Sequence, residues 1–391
     1  MLETDLKYIL DTFFTLFTMT LIIFMVPGFA MLEAGLVRTK NVSAVLTINV
    51  MIYAVASLAF LLVGYKLAFG SWDSVSSSIW AVFMFQMAFV GKTVNIMSGG
   101  VSERVRIIPL AIFTVVMGAV IYPLVVNISW GADMIAGTLL DIEMHDLAGS
   151  SVIHSTGGWA LLAAILIIGA RRGRYVGGKI RVIPASNIPL VVLGALLLWI
   201  GWFGFNGGSV GSISSVENAN LVAKTIMNTN TAGLSGAIIA AILMHIRYKL
   251  LDITMILNGA LGGLVAVTAG PDLYDIYTPI LVGAIGGALV VFAVPIFDKL
   301  RLDDPVGALS VHLVNGIWGT LAVGIFVQDV SFVSQLKGVV VIGVFAFSVS
   351  YAVLFLINKF SKFRASDEAQ LIGMDINECG VESYPEFKSS I

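Results

Sequence analysis

The run His145-Asp146-Leu147-Ala148-Gly149-Ser150-Ser151-Val152-Ile153-His154-Ser155-Thr156-Gly157-Gly158-Trp159 has a counterpart later in the chain, Asp304-Pro305-Val306-Gly307-Ala308-Leu309-Ser310-Val311-His312-Leu313-Val314-Asn315-Gly316. Both read Asp, seven residues, His, three residues, Gly, and both open a long apolar segment. Each copy therefore carries an imidazole into apolar surroundings, where polar side chains are costly and usually functional.

The rest of the chain says what those surroundings are. Of 391 residues, 58% are hydrophobic and only 12% charged, against about 25% charged in a soluble domain. Apolar runs of bilayer-spanning length, about 20 residues, follow one another from Tyr8 to Phe360 with short breaks. The chain reads as one integral membrane domain in a lipid bilayer. A net charge of -2 gives no reason to expect nucleic acid as a partner. Cys379 is the single cysteine, so no intrachain disulfide can form. The first segment begins with Glu3 and Asp5 and ends in Pro27-Gly28 without an Ala-x-Ala site, so it reads as a retained helix and not a cleaved signal.

Hydropathy divides the chain into eleven spans, 8–32, 42–67, 79–99, 107–128, 147–169, 185–207, 219–246, 253–270, 277–297, 306–327 and 336–360. With the N-terminus outside, the inner loops hold Arg38, Lys40, Arg104, Arg106, the cluster Arg171 to Arg181, Arg247, Lys249, Lys299, Arg301 and Lys359 to Arg364. The outer loops hold Asp73, Asp133, Asp141, Glu143, Asp272, Asp275 and Asp329. Lys and Arg in short loops set orientation, which puts the C-terminus inside. Five spans precede the basic loop and five follow it, with one left over. Two five-helix halves must then be oppositely oriented, the plan that places a transported substrate at the midplane between repeats. The expected fold is an all-α integral membrane protein of eleven transmembrane helices, two inverted five-helix repeats plus one extra helix. Residues 1–364 form the membrane domain and residues 365–391 a cytoplasmic tail.

The two Asp-x7-His elements fall at equivalent positions, the starts of the fifth and tenth spans. Eight residues at about 1.5 Å each put each His about 12 Å below its Asp, against a half-bilayer of about 15 Å. One histidine descends from outside and the other rises from inside, so the two are expected to meet near the midplane. Most of the 40 glycines read as close helix packing. The runs Pro27-Gly28-Phe29-Ala30-Met31-Leu32-Glu33-Ala34-Gly35 and Gly201-Trp202-Phe203-Gly204-Phe205-Asn206-Gly207-Gly208-Ser209 lie in the first and sixth spans, again equivalent, and read as interrupted helices.

Nucleotide-binding and zinc-hydrolase motifs are absent from the sequence, and neither a cofactor nor a metal site is expected. His145 and His245 fall at the outer mouth and inner interface and read as interfacial. A neutral imidazole offers one donor and one acceptor, so His154 and His312 suit a small polar solute better than a bare cation; the alternative is a hydrogen bond between helices. Asp146 reads as an N-cap or a cation-attracting carboxylate. Asp304 before Pro305 reads as a structural cap.

Taken together, these elements resemble the ammonium transporter (Amt/Mep/Rh) family over essentially the whole chain. The residues that carry the likeness are 201–209, Asp146-x7-His154, Asp303-Asp304-Pro305-x6-His312, the run from Pro27 to Asn41 and Ser102-Glu103-Arg104-Val105-Arg106. The resemblance implies a homotrimer in the cell (inner) membrane, one pore per protomer, conducting ammonium or ammonia. It implies that His154 and His312 are twin pore histidines, Phe89 and Phe205 two stacked gate rings, and Trp130 and Ser209 an outer cation site. Phe85, Trp202 and Thr268 fall at or beside the pore. From residues alone, the favoured readings are an interfacial belt tryptophan for Trp130 and ordinary packing for Phe89 and Phe205. Carrying a bare cation to the midplane is costly, so ammonium is expected to lose its proton near the gate and cross as ammonia while the histidines relay the proton.

Three positions depart from the family: Lys92 within the third span, Gly307 in place of an acidic residue, and a longer loop between Trp130 and Asp146. The tail from Gly373 through Asp375 and Asn377 to Tyr384 resembles the cytoplasmic C-terminus that contacts PII-type signal proteins, while its polar composition alone predicts disorder. The alternatives are a proton-coupled carrier of another small solute, or an ammonium sensor, against which the short tail argues.

Overall fold

A computed structural model describes residues 2–74, 76–130 and 142–387. Asp133, Asp141 and the last four tail residues, named above, lie outside the described residues. Among the described residues, ten helices are long and apolar enough to cross a membrane, and one more, the eighth in sequence, is shorter. They are α1 (Glu3–Leu36), α2 (Thr39–Phe69), α3 (Ile79–Val101), α4 (Ile107–Ser129), α5 (Ser150–Ile168), α6 (Ile188–Gly208), α7 (Val216–Tyr248), α8 (Ile253–Val267), α9 (Thr278–Lys299), α10 (Leu309–Phe326) and α11 (Phe332–Phe360). The eleven expected spans are all present.

Helix starts follow local chemistry. Asn187, Ser215, Asp252 and Ser331 each accept a backbone N–H with the side chain at the head of α6, α7, α8 and α11. The basic loop between the halves turns back through Gly177 and Gly178, both at positive φ, in a hairpin of β1 (Tyr175–Val176) and β2 (Lys179–Ile180).

The expectation of interrupted helices at the glycine-rich runs is not met. α1 has a single irregular turn at Phe24 and continues helically through Pro27-Gly28 to Leu36, and α6 runs unbroken through Gly201 to Gly208. The glycines serve the contact between these two helices: an added Cβ at Gly28 would lie 2.9 Å from Leu198 Cγ, and one at Gly204 2.5 Å from Leu21 Cβ. In the apolar bilayer, van der Waals packing brings helices together, so missing side chains become contact surface. The helix irregularities lie elsewhere, in wide π-type turns at Phe60–Gly64, Met117–Ile121, Ser150–Ser155 and Leu309–Val314. The last two contain His154 and His312. Wide turns of this kind recur at functional sites.

The basic residues assigned to the inner face converge there. Arg171 donates to both Asp303 oxygens at 2.9 Å, Arg38 Nε donates to Glu103 at 2.6 Å, and Arg104 donates to the carbonyls of Gly169 and Asp303. This knot ties the ends of α1, α3 and α5 to the loop before α10. Burial alone would push the Asp303 carboxyl up, but the Arg171 hydrogen bonds and the Arg171 and Arg104 charges pull it down to about 2. On the opposite face His145 lies 3.2 Å from Asp272, and Lys224 donates to the Asp272 carbonyl.

Candidate functional site

The Asp-x7-His-x3-Gly repeat folds into two matching corners. Asp146 accepts the backbone N–H groups of Gly149, Ser150, Ser151 and Val152; Asp304 accepts those of Val306, Gly307 and Leu309. Both aspartates are therefore caps. Three residues after each Asp the chain turns through a glycine at positive φ, 107° at Gly149 and 81° at Gly307, where a side chain would be strained. The repeat is thus longer than first read, Asp-x2-Gly-x4-His-x3-Gly, and Gly307 has a conformational reason to be glycine. Burial raises both Asp146 and Asp304 above the ordinary carboxylate pKa, and their backbone donors pull against it.

The closing glycines are reciprocal. A Cβ on Gly158 would meet Leu313 Cβ at 2.7 Å, and one on Gly316 would meet Ser155 N at 2.8 Å. Each glycine, four residues after its own histidine, accommodates the residue directly after the other. α5 and α10 cross there, and the two imidazoles meet with Nδ1 to Nδ1 at 3.1 Å and their rings 17° from parallel. A neutral pair holds one hydrogen between the Nδ1 atoms, which leaves one Nε2 a donor and the other an acceptor. His154 Nε2 is buried with no hydrogen-bond partner among the described residues.

Aromatic rings enclose the pair. Trp202 lies on His154 at 5.1 Å and 18°, with its indole N–H on Thr268 Oγ1 at 2.9 Å; Thr268 in turn donates to the Leu264 carbonyl. Phe205 sits 5.5 Å from His154, and Phe29 sits 6.2 Å from His312. Phe29 had not been singled out as a corridor residue, although it stands in the quoted α1 run. Above the histidines Phe89 and Phe205 close the way, 4.6 Å apart at 83°. The pair expected to be stacked is edge to face, the arrangement that ring quadrupoles favour over a sandwich. Phe85 meets Phe89 in the same manner at 4.8 Å.

Outside this plug is a cavity of about 420 Å³ lined by Phe85, Gln86, Phe89, Trp130, Leu147 and Ser209. Trp130 is held by its indole N–H on the Asp146 carbonyl at 2.7 Å, and its ring lies 6.3 Å from Phe89. Ser209 donates its hydroxyl hydrogen to the Phe205 carbonyl at 2.8 Å, so its remaining lone pairs can accept. Below the histidines is a smaller cavity of about 20 Å³, lined by Phe29, Glu33, Asn95, Ile96, Val311 and His312. Of the residues named from sequence, Phe85, Phe89, Trp130 and Ser209 line the upper cavity and His312 the lower, while Phe205, Trp202 and His154 pack in succession between them and Thr268 and Asp146 hold Trp202 and Trp130. Sequence reading missed a buried polar set beside the lower cavity, in which Glu33 accepts from Asn49 and Ser98 while Asn95 donates to Asn49. A glutamate inside an apolar run was the available signal for it.

The tail is ordered against the face that carries the basic loops, contrary to its polar composition. A short helix, α12 (Asp367–Ile372), precedes a turn at Asp375–Cys379. Asp375 accepts from Ala44 N at 2.8 Å and from Ser383, and Lys40 donates to the carbonyl of Gln370. Gly373, at φ 122°, lies on Lys40, while Asn377 N bonds back to the Gly373 carbonyl. Tyr384 lines a neighbouring cavity of about 430 Å³ together with Lys40, Asn187 and Asp375.

Two cavities separated by an aromatic plug and a buried imidazole pair, between oppositely oriented halves of a helical bundle, define an integral membrane protein of the transporter class. The chain belongs to the Ammonium Transporter Family, whose profile matches residues 13–384. It is 33% identical to ammonium transporter Amt2 of Archaeoglobus fulgidus, over 94% of this chain and 86% of that protein. It is likewise 33% identical to ammonium transporter Amt1 of Methanocaldococcus jannaschii, over 96% and 97%. Among solved structures, one described as "Sensor Amt Protein" superposes with a TM-score of 0.89 at 29% identity, covering 96% of this chain and 99% of that one. Saccharomyces cerevisiae Mep2 superposes at 0.83 with 24% identity, over 93% and 91%, a likeness of fold.

Proposed function

We propose that this chain carries ammonium across the cell (inner) membrane as a homotrimer with one pathway per protomer. The observation that carries the reading is the contact between His154 and His312, 3.1 Å apart in an apolar corridor directly below the Phe89/Phe205 plug. A polar pair with a free ring nitrogen at that depth has little structural reason to exist unless a polar solute passes it.

Ammonium enters the outer cavity, where the faces of Trp130, Phe85 and Phe89 each contribute about 0.5 to 2 kcal/mol to holding a cation and Ser209 Oγ accepts one N–H. At the plug the ion gives up a proton, because hydrocarbon opposes the charge and not the neutral molecule. Ammonia then moves along His154 and His312, which satisfy its hydrogen bonds in turn. The proton follows through the imidazole pair, so net transport is electrogenic. Trp202 and Thr268 fix the His154 ring, and Asp146 fixes the corner that carries it. The tail residues Gly373, Asp375, Asn377 and Tyr384 form the cytoplasmic surface at which a PII-type signal protein would act.

The test is uptake of methylammonium and ammonium-evoked current in proteoliposomes, for the parent and for His312→Ala. Saturable uptake in the parent and a loss of about tenfold or more in the variant are expected, as when one group of a coupled pair is removed. Currents with no dependence on ammonium would sink the proton-coupled route. The likeness to a protein described as a sensor supports a second reading, in which the corridor detects ammonium and conducts little. Ammonium binding without measurable uptake would favour it.

A further inference from the structure

The lower cavity contains an acid that the transport route above leaves unused. Glu33 lines it together with His312, Asn95 and Asn258, and of all the residues lining it Glu33 and His312 are the two with titratable side chains. On α1, Glu33 is one turn on from Phe29, whose ring faces His312 at 6.2 Å, so the ring and the carboxylate share a helix face.

Glu33 is 1% exposed. Asn49 donates to one of its oxygens and Ser98 to the other, each at 2.9 Å. An ionised carboxylate has about four lone-pair sites, so both oxygens can still accept. Glu33 belongs to none of the ion pairs among the described residues. Arg38 of its own helix is held by Glu103, and Lys92 of α3 lies against the Tyr53 ring. A tie between α1, α2 and α3 would be served by an amide at this position, whereas an acid buried in a membrane span marks a path for ions or protons.

The cavity itself, about 20 Å³, has room for one molecule of the size of water or ammonia. Its lining residue Asn95 donates Nδ2 to Asn49, while its Oδ1 is buried with no partner among the described residues and is left to accept from an occupant.

We propose that Glu33 is the proton acceptor below the histidine pair and the place where ammonium is formed again. Ammonium at the plug gives its proton to His154 Nε2, and the hydrogen between the two Nδ1 atoms shifts from His154 to His312. The Nε2–H bond of His312 then breaks, its electron pair staying on the ring. The molecule in the cavity hands the proton on, and an O–H bond forms on Glu33. The next ammonia to arrive takes that proton, which gives ammonium and restores the carboxylate. One ammonium thus disappears above the pair and one appears below it. This assignment rests on the proton-coupled transport reading above.

The experiment reads the charge moved for each methylammonium taken up, both above protein-free vesicles, in proteoliposomes holding the full-length parent, Glu33→Gln or Glu33→Asp. Glu33→Gln, which keeps the shape and loses the acid, is expected to lower this ratio by about tenfold or more, and Glu33→Asp, which keeps a carboxyl, is expected to stay within about threefold of the parent. A Glu33→Gln ratio equal to the parent's overturns the assignment, even where uptake and charge have both fallen, because loss of a purely structural group lowers the two together. A Glu33→Asp ratio as low as that of Glu33→Gln overturns it as well. Glu33→Met, neutral and of similar length, is read by the same criterion if Glu33→Gln does not purify as a monodisperse protein. A parent that takes up methylammonium without moving charge overturns the proton-coupled route and this assignment together. A parent that moves charge, beside a Glu33→Gln variant with the same ratio, overturns the assignment alone.

Discussion

Asp146 commits both carboxylate oxygens to four backbone N–H groups, two on each oxygen. Substitution by Ala leaves those donors buried and unpaired, at the upper end of the range of about 0.5–2 kcal/mol for cap removal. Thermal unfolding of the detergent-solubilised protein should show Asp146→Ala melting several degrees below the parent, with Asp146→Asn between them. An Asn variant as unstable as the Ala variant would mean that the cap bonds matter less than the charge. At this scale much was legible in the sequence: Asp, His and the closing Gly stood out because their spacing recurs. Gly149 and Gly307 were in plain view but went unread, because the need for positive φ exists only once the chain turns there. The edge-to-face setting of Phe89 and Phe205 is likewise a property of two helices meeting, and neither helix encodes it alone.

The crossing of α5 and α10 depends on two absent side chains. Gly158 lies against Leu313 and Gly316 against Ser155, so any bulk at either position drives the helices apart and with them the imidazoles. Gly158→Leu should lower methylammonium uptake by about tenfold or more while changing no residue that lines the corridor, since displacement of about 1 Å at a reacting centre has effects of this size. Gly158→Ala should fall between the two. Full activity in Gly158→Leu would show that the histidines need not meet. The expected interruptions at Pro27-Gly28 and Gly201–Ser209 failed at this same scale. A glycine-rich apolar run encodes a broken helix and a close-packed one in identical letters, and only the partner helix decides. The wide turns holding His154 and His312 had no signature, because they arise from hydrogen bonds five residues back, such as His154 N to the Gly149 carbonyl.

Across the whole molecule, the loops that carry most of the Lys and Arg come together on one face, where Arg38, Arg104 and Arg171 form a knot with Glu103 and Asp303. On the opposite face His145 pairs with Asp272, which joins the loop before α5 to the loop after α8. Burial disfavours protonation of His145, but the Asp272 hydrogen bond and charge outweigh it and raise its pKa above the ordinary value. A raised folded-state pKa stabilises the fold below the unfolded value of about 6.5, and that stabilisation is lost as pH rises through the folded value. The melting temperature of the parent relative to His145→Gln should therefore be highest in mild acid and converge on the variant's in alkali. A difference that stays constant with pH would rule the ion pair out. The ordered tail was the least legible part of the fold, since Asp375 finds its acceptor role at Ala44, 331 residues away, and polar composition carries no trace of a partner so distant.

The two histidines are separated by 158 residues of chain. At about 5–20 residues per second of synthesis, α5 waits roughly 8 to 30 s in the membrane before α10 has been made. Through that interval His154 has no Nδ1 partner, Ser151 lacks Thr320, and Gly158 offers an empty slot where Leu313 will lie. The first half is thus held as a membrane-inserted but unfinished object, and the ribosome delivers its completing surface last.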